Sequence, residues 1–181
     1  MNSRRLRIAI FVAVMLTGLG SATAASRVKI PFSSVDAEGI DKSIGSVTAV
    51  DTPAGLKLTP MLRGLPPGEH GFHVHDKPSC EAAPDPDKGG AMAPAFGAGG
   101  HLDPAGTAKH EGPSGAGHKG DLPKLVVTAS GKATAAVVAP HLTVADIKGH
   151  AVMIHAGGDN YADQPVKLGG GAGRIACGVA S

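Results

Sequence analysis

The chain of 181 residues contains no tryptophan, one tyrosine and four phenylalanines, so a folded core has to be packed from valine, isoleucine, leucine and alanine. No stretch shows convincing helical hydrophobic periodicity, which leaves strands to carry the fold. Long apolar runs are missing too. The one at residues 8–19 falls short of the roughly 20 residues that a membrane-spanning helix needs, and no later segment approaches that length. Arg4, Arg5 and Arg7 precede this run, and the small residues Ala22, Thr23, Ala24 and Ala25 follow it. That order of charge, apolar stretch and small residues predicts a secretory signal peptide. Residues 1–25 are therefore expected to be removed, leaving residues 26–181 as one soluble domain.

Charge of one sign is also lacking once the leader is gone. The chain has 17 basic and 15 acidic residues, and the leader carries three of the basic ones and none of the acidic ones. The mature protein then has one acidic group in excess. Composition thus gives no reason to expect nucleic acid or an anionic membrane surface as a partner, and a small ligand is expected instead. Cysteine is equally scarce. Cys80 and Cys177 are the two present, and in an exported chain they predict a disulfide, with a pair of buried free thiols as the alternative. In the chain-entropy model, closing a loop of nearly a hundred residues contributes roughly 4 to 5 kcal/mol.

Short strand-like segments at 44–50, 56–62, 71–75, 125–128, 133–138, 151–155 and 174–179 are separated by turn residues, and Ser130-Gly131 reads as a hairpin turn. This pattern predicts an all-β antiparallel sandwich or barrel. Residues 80–123 break it with closely spaced glycines and prolines. A loop of that length inside a compact domain needs something to offset its ordering entropy, and a metal ion together with a disulfide would do so.

Among the nine histidines are candidate ligands for such a metal. His73 and His75 alternate with Phe72 and Val74, so on a strand both imidazoles leave one face and can meet one ion; a solvent-facing pair is the bland alternative. His101, His110, His118 and Asp121 all fall in the Gly/Pro-rich loop, and three imidazoles with one carboxylate suit a closed, tetrahedral, structural zinc site. His155 ends a late strand-like segment. An all-imidazole set with His73 and His75 suits copper, and neither cysteine is placed like the sulfur ligand of a blue-copper site.

Several motifs occur in order along the mature chain: Gly-Glu-His-Gly-Phe-His-Val-His at 68–75, Gly-Gly-His-Leu-Asp-Pro at 99–104, and Lys-His-Glu-Gly-Pro at 109–113. They are followed by Gly-His-Lys-Gly-Asp-Leu-Pro at 117–123, His-Ala-Gly-Gly-Asp-Asn at 155–160 and Gly-Arg-Ile-Ala-Cys-Gly at 173–178. Together they resemble the bacterial periplasmic copper-zinc superoxide dismutases. The resemblance implies an eight-stranded Greek-key β-barrel, flattened like an immunoglobulin sandwich, with long metal-binding loops. It assigns His73, His75, His101 and His155 to copper, and His101, His110, His118 and Asp121 to zinc, with His101 shared. Arg174 matches the arginine that draws superoxide towards copper, and Asp159 matches a carboxylate joining a copper histidine, His73, to a zinc histidine, His110. His70 falls where the family has a structural histidine, and His141 and His150 are read as surface or hydrogen-bonded residues. Asp76 departs from the usual glutamate after the second copper histidine and touches no ligand.

The activity so implied is dismutation of superoxide to oxygen and hydrogen peroxide, as a monomer or homodimer in the periplasm. Near-zero net charge means that local cations must attract the anion, and Lys109 and Lys119 join Arg174 as candidates. Tyr161 is a candidate interface residue or a lone exposed ring. The rival readings are a non-catalytic copper- or zinc-binding module of the same fold, which would be expected to have lost a copper ligand or the arginine, and a zinc hydrolase, which would need an open zinc position.

Overall fold

A computed structural model describes residues 25–181; all of the expected leader except its last residue lies outside the described residues. The chain opens with β1 (Arg27–Asp36), in which Val28, Ile30 and Phe32 are buried and Arg27, Lys29 and Pro31, alternating with them, are exposed. It continues into β2 (Gly39–Thr52) and β3 (Gly55–Arg63), and the three form consecutive antiparallel hairpins. Two short strands follow, β4 (Gly68–His70) and β5 (Phe72–His75). Within the long loop, β6 (Ala83–Asp85) and β7 (Ala91–Ala93) make a small hairpin of their own. After it come β8 (Leu125–Val127), β9 (Lys132–Ala133) and β10 (Val137–Ala139), then one helical turn, α1 (Val144–Ile147), and finally β11 (Ala151–His155) and β12 (Arg174–Val179).

Eight of these strands share one antiparallel sheet in the order β10-β3-β2-β1-β12-β11-β5, with β9 also pairing β3; β4 pairs β8 separately. The chain crosses from β3 near one edge to β5 at the other, returns to β3 with β9 and β10, and crosses again to β11. Those crossovers are of the Greek-key kind and agree with the expected all-β architecture. The sheet curls so that Phe32, Phe72, Leu56, Leu58, Leu125 and Ile154 meet in one core, each at most 1 % exposed. Burying a side chain of this size contributes about 1.5 to 3 kcal/mol, which lets aliphatic packing substitute for absent tryptophan.

Two features differ from the sequence reading. β1 was not among the expected strands: Pro31 lacks a ladder N–H and Ser33-Ser34 breaks the apolar alternation, yet a register shift after Phe32 lets the strand continue. The segment expected at 133–138 is two strands, because Ala133 pairs Leu62 and Val137 pairs Leu58 while the residues between leave the ladder.

What positions the site is the edge strand β5. Its four residues are all buried, since β11 covers one flank and the long loop the other. Val74 N donates to Gly120 O and Leu102 N donates to Val74 O, both at 2.8 Å, so loop segments on either side of residue 110 are stitched to β5. Gly120 has to be glycine there, because a Cβ would collide with the Val74 carbonyl. The disulfide joins Cys80 to Cys177 of β12 with a Cα separation of 5.7 Å across 97 residues, inside a small cluster with Val35, Ala95, Ala98 and Met153.

A Cys80→Ser, Cys177→Ser double variant is expected to lose about 4 kcal/mol of stability, the entropy of a loop of that length. Urea unfolding of the oxidised wild type and the variant measures it; equal midpoints would show that the metal loops alone hold this segment.

Candidate metal centre

His73 and His75 project from β5 on the side away from Phe72 and Val74, towards His155 at the end of the neighbouring β11. His101 reaches the same place from the loop, and its backbone bridges that of His75. One nitrogen from each of these four rings lies within 4.8 Å of every other, and all four residues are buried. A second group, His73, His101, His110 and Asp121, satisfies the same distance limit. His118 stands slightly apart, its Nδ1 3.6 Å from Asp121 Oδ1 and its ring centroid 5.2 Å from that of His101. His73 and His101 are both common to the two groups, and their ring centroids are 4.0 Å apart.

The hydrogen bonds decide which nitrogen of each ring is left for an ion. His73 Nε2 donates to Asp159 Oδ2 at 2.7 Å and His110 Nε2 to Asp159 Oδ1 at 2.8 Å. His75 Nδ1 donates to Gly99 O and His155 Nδ1 to Ala172 O. Three buried nitrogens, Nδ1 of His73, His110 and His118, have no hydrogen-bond partner among the described residues. His110 Nδ1 lies 3.0 Å from Asp121 Oδ2 without the alignment of a hydrogen bond, and His75 Nε2 faces His155 Nε2 at 3.4 Å. Inward-facing donor atoms of this kind, all imidazole on one side and imidazole with carboxylate on the other, fit two cations.

Asp159 sits between the two groups and orients a ring in each, the usual task of a carboxylate behind a metal ligand. Gly169, at φ 69°, makes room for it: a Cβ would collide with Asp159 Oδ1 and approach His110 Nε2 to 2.8 Å. Burial sets the charge state of the rings. It holds the proton affinities of His73, His75 and His155 below the ordinary value and lowers that of His101 to about 4. Burial acts against His110 as well, but the two carboxylates beside the ring, Asp121 next to Nδ1 and Asp159 accepting from Nε2, outweigh it and raise that ring to about 9. Both carboxylates resist protonation despite their burial, because these histidines face them.

A cavity of about 180 Å³ opens on His75, His101 and His155 and is also lined by Arg174, Lys88 and Phe96. Arg174 donates from Nη1 to Ala95 O and from Nη2 to Gly99 O, each at 2.6 Å. Lys88 was missed in the sequence: it belongs to the β6–β7 hairpin, and only the folded loop carries it to the cavity. Of the two lysines expected near the anion path, Lys119 is tied to Asp146 at 2.6 Å, and neither it nor Lys109 lines this cavity. Tyr161 is half-buried against Gly112, and its hydroxyl accepts from Lys124 N at 2.9 Å, so it braces the loop. His70 is buried with ring nitrogens 2.7 Å from His155 O and 2.8 Å from Pro66 O; His150 contacts Asp76 O at 2.8 Å, and His141 is exposed.

A family model described as copper/zinc superoxide dismutase matches residues 43–180. The chain belongs to the copper/zinc superoxide dismutase family. It is 54% identical over 177 residues to the superoxide dismutase [Cu-Zn] of Escherichia coli strain K12, covering 97% of this chain and 98% of that one. Among solved structures, the Cu/Zn superoxide dismutase from Brucella abortus superposes with a TM-score of 0.83 at 44% identity, over 86% of this chain and all of that one. A solution structure of the monomeric copper, zinc superoxide dismutase from Salmonella enterica gives 0.76 at 52% identity with the same coverage. Family membership and the two donor groups agree on copper and zinc as the ions.

The buried rings give the metal-free protein a definite pH dependence. For His101, lowered to about 4 in the fold against 6.5 unfolded, stability is lost as pH falls from about 6.5 to 4, and the other lowered rings act in the same direction. For His110, raised to about 9, stability is lost as pH rises from about 6.5 to 9. Chemical denaturation in the presence of a chelator is therefore expected to show a maximum near pH 6.5, with a fall of a few kcal/mol towards pH 4. A flat profile between pH 4 and 7 would contradict neutral buried imidazoles.

Proposed function

We propose that this chain dismutes superoxide at copper held by His73, His75, His101 and His155, beside a structural zinc held by His101, His110, His118 and Asp121. The observation that carries the reading is the cavity in which three imidazoles of the first set and a fixed guanidinium face one small volume. When bound, copper supplies the redox chemistry: one superoxide gives up its electron and leaves as oxygen, and a second takes that electron with two protons and leaves as hydrogen peroxide. Zinc has no redox chemistry and holds the loop.

The protein's own groups do the rest. Arg174 spends one N–H on each of two carbonyls, which leaves three of its five to receive an anion in the cavity. Lys88 at the cavity wall adds local positive charge that the near-neutral chain lacks. His101 keeps Nδ1 towards Asp121 and has Nε2 as the ring atom at which a proton can be held and passed to the reduced anion. Asp159 keeps His73 and His110 oriented, so the two sets stay in register. All four proposed copper ligands and the arginine are present, which disfavours the non-catalytic module. Residues 1–25 as a signal peptide would deliver the chain to the periplasm, where the Cys80–Cys177 disulfide persists.

Replacing Arg174 with Ala is expected to lower the second-order rate of superoxide decay about tenfold or more while copper and zinc contents stay at one each, the behaviour of a group that guides the anion. Loss of copper in that variant would mean that Arg174 supports the ligands instead. In the wild type the same rate is expected to fall with rising ionic strength. A salt-independent rate would remove local cations from the account.

A further inference from the structure

Among the described residues, both side-chain hydrogen bonds of Arg174 and its aromatic contact come from one turn, residues 95–99, while the Asp85 carboxylate attracts it from outside that turn. Ala95 O and Gly99 O accept from its two terminal nitrogens, and the Phe96 ring lies over the guanidinium with its centroid 5.1 Å from Cζ. Gly99 O also accepts from His75 Nδ1, so the turn ties the arginine to one of the proposed copper ligands.

The turn is built for this rather than relaxed. Ala95 is fully buried at φ 49°, a left-handed conformation that a residue with a Cβ adopts at a cost, and it places its carbonyl against the arginine. Gly97 donates to Glu81 O at 3.0 Å, and a side chain there would meet Ser79 Oγ at 2.9 Å. Packing on both sides of Cys80 thus backs the turn. Phe96 itself is half-buried and belongs to neither buried hydrophobic cluster, so core packing does not explain it.

We propose that Phe96 is the positioning residue for Arg174, its ring face fixing the guanidinium plane so that the free N–H groups point into the cavity. This rests on the reading of Arg174 as the group that receives the anion. An aromatic face attracts a guanidinium through its quadrupole, which leucine of similar bulk cannot do. A guanidinium already held in its binding orientation has less freedom to lose when an anion arrives.

The test uses the copper- and zinc-loaded protein in its reduced, diamagnetic state, titrated with inorganic phosphate and followed by NMR at the Arg174 side-chain N–H signals. Phe96→Leu and Phe96→Ala are expected to weaken phosphate binding about two- to thirty-fold and to average the guanidinium signals, with metal contents unchanged. Phe96→Tyr and Phe96→Trp, which keep the ring face, are expected to retain both properties. Phe96→Leu indistinguishable from wild type would overturn the proposal, because apolar bulk alone would then suffice. Phe96→Tyr as weak as Phe96→Leu would overturn it too. Arg174→Ala binding phosphate as tightly as wild type would instead sink the reading of Arg174, whatever the Phe96 variants do.

Discussion

A buried nitrogen with no partner is expensive, about 1 to 3 kcal/mol for each one, and this fold gathers three of them around His73, His110 and His118. Beside them His75 and His155 turn their Nε2 atoms towards each other. These nitrogens face one another or the Asp121 carboxylate, and they are the atoms that the proposed function assigns to the ions. The rest of the structure depends on that constraint. The loop rich in glycine and proline has little apolar surface to bury, so its order has to come from what it binds and from the disulfide at its base.

Carboxylates carry the same constraint outward. Asp159 grips a ring from each donor set, and it can stand between them because Gly169 has no side chain to displace it. Asp163 makes a similar link through the backbone, with Oδ2 accepting from His110 N and Oδ1 from Leu168 N. Leu168 in turn borders the cavity beside His101 and His155. Order at the proposed zinc side therefore reaches the wall of the proposed copper side through two carboxylates, although zinc takes no part in electron transfer.

Much of this was legible in the residues, for physical reasons. Alternation around His73 and His75 needs only strand geometry, and two cysteines in a chain read as exported leave one partner for each. Ordered motifs carried the fold family. Strand β1 was hidden by Pro31 and by Ser33-Ser34, whose place in the ladder depends on a register shift that composition cannot announce. The cations at the cavity were harder still. Lys109 and Lys119 neighbour proposed zinc ligands in sequence, but Lys119 is engaged by Asp146 of α1, and Lys88 arrives only because β6 and β7 fold back towards β12. Phe96 gave no signal at all, since a lone aromatic in a loop acquires meaning only when Arg174, 78 positions later, is seen beneath it.

The two cations at the cavity differ in what solvent lets them do. Lys88 has a side chain 66% exposed and a carboxylate, Asp85, 3.5 Å away, so its charge is partly neutralised and screened within about 8 Å at physiological salt. Its influence is a matter of approach. Arg174 is half-buried, braced by carbonyls and a ring, and burial lowers its proton affinity without bringing it near neutrality. Salt reaches it less readily, and its N–H groups act at contact distance. Attraction from a distance and orientation at the imidazoles thus fall to different residues, a division that a chain with almost no net charge requires if a small anion is to find one cavity on its surface.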